Sequence, residues 1–181
     1  MDLSNIKIET PRLLLVSTLQ KYAEQIFLEY REPVTTYMNY GPPKSLAALE
    51  ERITQTETDM KAGLVVSLAV LLKESGEFLG RFVLEDIDQK NPEIGGWLKV
   101  SAHGHHYGQE AATALKNWAD QNLSYEYLVW PCAALNTPSR KLAESLGGKV
   151  EKEYVKKTAQ GKVLEYVEYW IARGQIENNK L

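Results

Sequence analysis

The stretch EIGGWLKVSAHGHHYGQEAATAL, residues 93–115, combines an apolar segment, a polar turn containing Gly104 and Gly108, and an alanine-rich segment. This order predicts a strand, a tight turn and a helix. The first N–H groups of such a helix have no partners within the helix, and they point back at the turn. The junction is therefore a ready binding site for a phosphate group.

The same stretch has two other interpretations. The glycines could serve only backbone geometry, since glycine adopts conformations that other residues avoid. All three histidines of the chain, His103, His105 and His106, lie in this turn and suggest a metal site. Neighbours on one short turn rarely aim at one ion, however, and the single cysteine, Cys132, lies far along the chain. We favour the anion site and expect no metal.

Composition limits the class of protein. The chain has 181 residues, of which 44% are hydrophobic and 25% charged, and this predicts one compact domain with a sizeable core. We find no N-terminal signal-like segment and no apolar run long enough to cross a bilayer, so we expect a cytoplasmic protein without membrane association. A net charge of -3 argues against binding to nucleic acid, which usually needs a basic face. Both a monomer and a homodimer remain open.

Turn signals and apolar periodicity predict the elements of the first half of the chain. Residues 13–16 follow a kink at Pro11 and read as a buried strand within residues 6–17. Two helices are expected, at residues 19–30 with Ser17 or Thr18 as cap, and after a cap at Ser45 to about residue 61. The runs 64–73 and 77–86 predict a hairpin.

The second half continues the alternation of strands and helices. Residues 125–133 read as a central strand, in which Pro131 cannot donate to a neighbour, so we expect pairing to lapse there. Thr137 followed by Pro138 predicts a helix start with Thr137 as N-cap. The runs 149–157 and 163–172 predict a last hairpin, and residues 174–181 a flexible tail.

Four blocks in this order resemble a known family. They are ETPRLLL at 9–15, IGGWL at 94–98, HGHHYGQEA at 103–111 and NTPSRKLAESLG at 136–147. They are similar to blocks of the GNAT superfamily of acetyl-coenzyme-A-dependent N-acetyltransferases, in its Rim-type branch, named after acetylases of ribosomal-protein N-termini. The resemblance implies an α/β fold: a single GNAT-like domain over residues 1–173, with a mixed, mostly antiparallel central sheet of about seven strands flanked by about four helices.

The sequence also departs from that family at four positions. His103 stands where the family prefers Gln or Arg, and His106 where it has the first glycine of the phosphate loop. The side chain of His106 could crowd pyrophosphate or donate a hydrogen bond to it. Gly148 replaces a usual Phe, and Ala143 stands where many members carry a Tyr that protonates the leaving thiolate.

The resemblance implies transfer of acetyl from acetyl-coenzyme A to a primary amine, by direct attack in a ternary complex. Glu93 is the candidate base, because the amine must lose a proton before it attacks; the alternative is a solvated strand end. Ser139 is the candidate acid for the leaving thiolate. A covalent route through Cys132 is possible, although a lone cysteine in an apolar run more often fills the core.

The resemblance also implies which residues hold the coenzyme. The backbone N–H groups of Leu98 and Val100 would pair with the acetyl carbonyl and the pantetheine arm. Asn136 would bind the arm through its side-chain amide, or instead form a local Asx turn. The loop would hold the pyrophosphate through the residues His103, Gly104, His105, His106, Tyr107, Gly108 and Gln109.

The acceptor is not identified by the sequence. A peptide N-terminus, an amino acid and a polyamine all remain open, and we expect the acceptor between residues 37–43 and 158–162. An acyl-coenzyme-A-binding module without turnover is the alternative function, since His106 and Ala143 depart from the family pattern. A metal-binding domain that uses the histidine turn is a weaker alternative.

Overall fold

A single mixed sheet carries all the strands of residues 1–17 and 20–174, the part of the chain that the computed structural model describes. Eight strands lie in the order β1-β2-β3-β4-β5-β6-β8-β7, and every neighbouring pair is antiparallel except β5 and β6. The strands are β1 (Lys7–Glu9), β2 (Leu13–Ser17), β3 (Val66–Leu72), β4 (Phe78–Glu85), β5 (Glu93–Leu98), β6 (Tyr127–Ala133), β7 (Lys149–Lys157) and β8 (Val163–Ala172).

Helices cover both faces of this sheet. They are α1 (Ala23–Glu29), α2 (Leu46–Ala62), α3 (Tyr107–Asn122) and α4 (Thr137–Ser145), with short 3-10 turns at Gln20–Tyr22 and Val100–Ala102. Apolar side chains of α1 and α2 pack on β3 and β4 in one cluster, and those of α3 and α4 pack on the opposite face in another. Within the described ranges, no helix is both long and apolar enough to span a bilayer.

The predicted first strand is in fact two strands. Pro11 lies in the turn between β1 and β2, and the backbone N–H of Thr10 donates to the carbonyl of Leu13 across that turn at 3.0 Å. The sheet therefore has one strand more than the expected seven. Ser17 ends β2 and accepts a hydrogen bond from the Ile6 N–H, so it does not cap α1. Thr18, Leu19 and residues 175–181 of the expected tail lie outside the described residues.

The helix caps follow the sequence closely but not completely. Ser45 caps α2 as predicted, with its Oγ accepting from the Ala48 N–H at 3.2 Å. In α4 the N-cap is Asn136 rather than Thr137, because the Asn136 Oδ1 accepts from the Ser139 N–H at 3.3 Å. Asparagine is at least as good an N-cap as threonine, and Pro138 is tolerated anywhere in the first turn, where its missing N–H costs nothing.

A gap opens between β5 and β6, as Pro131 predicts. These strands pair only at Glu93 and Val129, where the Val129 N–H donates to the Pro92 carbonyl at 2.9 Å. Two residues further along β6 the same edge presents Pro131, which has no N–H to donate. The other edge of β6 stays paired with β8 along its whole length. The sheet therefore splits on one side of β6 only.

Candidate functional site

The turn between β5 and α3 carries a row of backbone N–H groups without partners. The first bond of α3 runs from the Glu110 N–H to the His106 carbonyl at 3.1 Å. In the described part of the chain, no group accepts a hydrogen bond from the N–H groups of residues 104–109. Unpaired donors at the positive end of a sixteen-residue helix favour an anion such as pyrophosphate.

The conformation of this turn differs from the one expected from its two glycines. Gly104 has φ 81° and His106 has φ 61°, both in the left-handed region, and His106 is the N-cap of α3. Gly108 is instead the second residue of the helix, where a Cβ would meet Leu98 and Leu142 at an ordinary 3.7 Å. The turn is therefore built on Gly104 and His106, and histidine tolerates this conformation better than most residues do.

The other two histidines have structural contacts in the turn. The His103 Nε2 lies 2.9 Å from the Leu98 carbonyl oxygen, and the His103 N–H donates to the Val100 carbonyl. Both groups are thus engaged within the turn, away from the expected contact with pyrophosphate. The His105 ring stacks on Tyr107 at 5.4 Å between centroids. Among the described residues, no group of three His, Cys, Asp or Glu side chains could hold a metal ion.

A brace from the N-terminal hairpin holds the turn, and sequence reasoning missed its role. The Glu110 carboxylate accepts hydrogen bonds from Thr10 Oγ1 at 2.5 Å, from the Arg12 N–H at 2.9 Å and from Arg12 Nε at 2.7 Å. Arg12 also donates to the His105 carbonyl and lies over the Tyr107 ring. Although burial opposes it, these hydrogen bonds lower the pKa of Glu110, so the carboxylate stays charged.

The edge of β5 that faces the gap presents two backbone N–H groups. The Lys99 N–H points to β4, where it donates to the Leu79 carbonyl at 2.7 Å. Successive strand residues point their N–H groups to opposite edges, so Leu98 and Gly96 face the gap. Val100 begins a 3-10 turn and does not continue the strand, which corrects its predicted strand-like role. Gly96 is the residue that the sequence interpretation missed at this edge.

Glu93 lies where the gap closes. Its side chain is half-buried, and its pKa is raised to about 7, first by burial and then by the negative charge of Glu85. Glu85 stands directly opposite Glu93 in the β4–β5 register, and Lys156 partly offsets the effect. A carboxylate with this pKa can accept a proton near neutral pH, as a solvated strand end could not.

An arch of hydrogen bonds crosses the sheet face that carries Glu93. The Ala159 N–H donates to the Asn39 carbonyl at 3.1 Å, Gln160 Nε2 to the Met38 carbonyl at 3.1 Å, and Tyr166 Oη to the Tyr37 carbonyl at 3.3 Å. The loop before α2 and the β7–β8 turn therefore contact each other directly. These hydrogen bonds therefore bridge the space between residues 37–43 and 158–162, where the sequence places the acceptor.

The residues of α4 pack against β6. Ser139 Oγ accepts a hydrogen bond from Trp130 Nε1 at 3.0 Å and contacts the Cys132 thiol, whose pKa is raised by burial. A buried thiol of raised pKa is a poor nucleophile, so we interpret Cys132 as a residue of the hydrophobic core rather than a nucleophile. Asn136 uses its side-chain oxygen as the helix cap, so its amide is not wholly free as expected. Ala143 is fully buried and faces the core.

Comparison with known proteins identifies the kind of domain. The sequence matches the profile of the acetyltransferase (GNAT) domain over residues 12–149, most of the chain. A curated relative described as the uncharacterized N-acetyltransferase p20 of Bacillus licheniformis is 27% identical over 162 residues, which are 86% of this chain and 90% of the relative.

Solved structures share the fold. An acetyltransferase of Salmonella typhimurium, described as modifying the N-terminal serine of a 50S ribosomal subunit protein, gives a TM-score of 0.78 at 17% identity and covers 92% of this chain and 99% of its own. A RimL ribosomal alpha-N-protein acetyltransferase in complex with coenzyme A gives a TM-score of 0.81 at 16% identity, covering 92% and 98%. At such identities the likeness establishes the fold alone.

Proposed function

Because the chain belongs to the GNAT family of acetyltransferases, we propose that it moves acetyl from acetyl-coenzyme A to the N-terminal amine of a peptide or to a small primary amine. The observation that carries this proposal is Glu93, a carboxylate with a pKa of about 7 at the closed end of the β5–β6 gap. The described relatives that modify a ribosomal N-terminus or bind coenzyme A agree with it.

The cofactor side of the reaction would use backbone groups. The N–H groups of residues 104–109 would bind the pyrophosphate at the start of α3. Leu98 and Gly96 would pair with the coenzyme arm and the acetyl carbonyl through the gap edge of β5. These donors are fixed before substrate arrives, so they stabilise the oxyanion that develops on that carbonyl without reorganising.

Proton transfer would start at Glu93. An amine is an ammonium ion at neutral pH, and Glu93 would take its proton directly or through one water. The neutral nitrogen then attacks the thioester carbon, the C–S bond breaks, and the thiolate leaves with a proton from Ser139 or from water. A thiol pKa near ~8.5 makes the leaving group stable enough that only a weak acid is needed.

The test is a transfer assay with purified protein. Release of free coenzyme thiol is measured from acetyl-coenzyme A with a panel of N-terminal peptides, amino acids and polyamines. We expect turnover with at least one primary amine, and its strong reduction in Glu93→Gln. The exposed Lys61, at the end of α2, offers Lys61→Met as a surface control.

Coenzyme binding is measured separately by thermal unfolding. A ligand that binds only the folded state adds about 2.7 kcal/mol of stability at a hundredfold excess over its Kd. A raised Tm with acetyl-coenzyme A and no transfer to any amine would replace the enzyme with an acyl-coenzyme-A-binding module. No shift at millimolar coenzyme would reject the proposed site itself.

A further inference from the structure

Arg81 places a guanidinium on the same sheet face as the proposed base. Side chains alternate along a strand, so Arg81, Val83 and Glu85 of β4 share one face. In the β4–β5 register Arg81 stands opposite Trp97, and Glu85 stands opposite Glu93. This face is also the one that the arch crosses. Arg81 and Glu93 therefore line the same strip of this sheet face.

The charge of Arg81 lacks a carboxylate in direct contact. Its Nε donates to Ser67 Oγ at 2.8 Å, but within the described ranges no Asp or Glu oxygen lies within ion-pairing distance of its guanidinium. Burial lowers the pKa of Arg81, and the charge of Glu85 offsets this only in part. A desolvated charge without a contacting partner is costly, so a site of this kind is better explained by a ligand than by folding.

A second arginine lies in the same region. The Arg52 guanidinium, on α2, sits over the Tyr40 ring at 5.5 Å, and the Tyr40 carbonyl accepts from Tyr30 Oη at 3.0 Å. Arg52 and Arg81 act electrostatically on each other and on Tyr30. The two arginines and the Tyr30 hydroxyl thus lie close enough to influence one another electrostatically. The like charges of the two arginines would be relieved by an anion placed near both.

The register sets the distance from this pair to the base. Ser67, the hydrogen-bond partner of Arg81, stands opposite Val83, so the Arg81 side chain leans along β4 toward Glu85. Val83 and Glu85 are two residues apart, which places the guanidinium about 7 Å along the strand from the level of Glu85 and Glu93. The amine nitrogen and the second Cα of an extended acceptor are about 5 Å apart, so with its amine at Glu93 an acidic side chain on the second residue would span the remaining distance to Arg81.

We propose that Arg81, assisted by Arg52, binds a carboxylate on the acceptor, and that the preferred acceptor is a peptide N-terminus whose second residue is Asp or Glu. The planar fork of arginine matches a carboxylate with two parallel hydrogen bonds. This inference rests on the proposed transfer reaction and specifies its substrate. It also gives the strip two functions: Glu93 receives the amine, and the arginine pair selects the second residue of the peptide.

The experiment compares two peptides that differ only in Glu or Gln at the second residue, with further pairs that place Glu or Gln at the first and third residues. Transfer is followed by thiol release. A hydrogen-bonded charge pair predicts a preference of about 10- to 100-fold in kcat/KM for the Glu peptide, mainly through a lower KM. Arg81→Met should reduce this ratio to near one, and Arg81→Lys should retain part of it. Lys61→Met, which removes one exposed charge, should keep the ratio.

The outcomes separate this inference from the proposed function. Equal kcat/KM for the Glu and Gln peptides at every position would overturn the inference and leave transfer itself intact, and so would a preference that survives Arg81→Met. If no peptide is acetylated, the proposed function fails, and calorimetric binding of the two peptides to parent and Arg81→Met decides the inference alone. If Arg81→Met does not fold, Arg52→Met and Arg81→Lys supply the same comparison of ratios.

Discussion

The two sides of the β5–β6 gap are built from different materials. The proposed cofactor side is a turn of consecutive residues whose backbone N–H groups lack partners in the described part of the chain, with Gly104 and His106 setting its conformation. The proposed acceptor side consists of side chains from separate elements, with Glu93 on β5, Arg81 on β4 and Arg52 on α2. Binding by the backbone donors of the turn would be nearly independent of side-chain identity, whereas the function proposed for Glu93, Arg81 and Arg52 depends on their side chains.

This difference predicts how each side responds to mutation. A backbone donor survives a side-chain substitution, so the cofactor turn can be weakened only through the residues that hold its shape. The acceptor side has no such tolerance, because removing one carboxylate removes a chemical function. Substitutions on the acceptor side should therefore act on turnover, and substitutions around the turn should act on coenzyme affinity.

The largest effect is expected from Glu93→Gln. The change keeps the shape of the side chain and removes the proton acceptor, so kcat should fall by about 10²- to 10⁴-fold while coenzyme affinity is nearly unchanged. The parent rate should rise with pH through about 7, as Glu93 loses its proton, and the mutant should lack this limb. Equal rates in parent and mutant at neutral pH would identify Glu93 as a bystander.

Glu85→Gln sharpens this test without touching the base. The negative charge of Glu85 helps to raise the pKa of Glu93, so its removal should move the acid limb of the rate profile to lower pH.

The pH dependence of stability is a second measure of the raised pKa of Glu93. The folded pKa of Glu93 exceeds its usual 4.5, so the group costs stability as pH rises from about 4.5 through about 7. Glu93→Gln should therefore stabilise the fold more at pH 8 than at pH 5.

The next effect is expected from Glu110→Gln, on the cofactor side. The amide oxygen can still accept from Thr10 and the Arg12 N–H, but the NH2 group cannot accept from Arg12 Nε, and the charge that strengthens all three bonds is lost. Each bond to a charged group contributes about 1.5–3 kcal/mol, and part of that loss should appear as an affinity for acetyl-coenzyme A lowered by about tenfold. Calorimetric titration measures it. Glu126→Gln, in an exposed ion pair with Lys90, is the matched control and should bind normally.

Much of the fold could be predicted because its signals are local. Ser45 and Gly63 mark the two ends of α2 within the sequence of the helix itself, and Pro131 marks where β5 and β6 part. The errors were local as well. Pro11 divides one expected strand into two, since its position between β1 and β2 is a tight turn rather than a kink. Asn136 and Thr137 are both good caps, and only the structure distinguishes them.

The site was predictable only where it is contiguous. The phosphate turn follows from one stretch of sequence, whereas the brace that holds it joins Arg12 to Glu110 across 98 positions, and no local pattern links them. The alternating pattern of β4 does not itself call for an arginine at position 81. That no carboxylate among the described residues contacts Arg81 is visible only in the assembled sheet. A Cβ on Gly96 would meet the Phe82 ring at 2.6 Å, and this close packing too becomes visible only in the assembled sheet.

A smaller effect is expected from Ser139→Ala. The hydroxyl accepts a hydrogen bond from Nε1 of the buried Trp130, so its removal leaves that donor without this partner and should cost about 1–3 kcal/mol of stability. If Ser139 also supplies the proton to the thiolate, kcat falls by several-fold with natural coenzyme. An unchanged kcat with a lowered Tm would assign the serine to packing and the proton to water.

The smallest and most informative effect concerns His106→Gly. His106 holds a left-handed conformation as N-cap without any side-chain capping bond, and its exposed ring is free to meet an anion. Glycine would keep the backbone geometry and remove only the ring, so the free protein should unfold at nearly the same temperature. Coenzyme affinity should fall by about 0.5–1.5 kcal/mol if the imidazole donates to pyrophosphate, and rise if the ring crowds it. We expect the fall, because an added donor at the positive end of a helix favours an anion. Calorimetric titration of parent and mutant with acetyl-coenzyme A measures the difference, and a tighter complex in the mutant would show that the turn binds through its backbone alone.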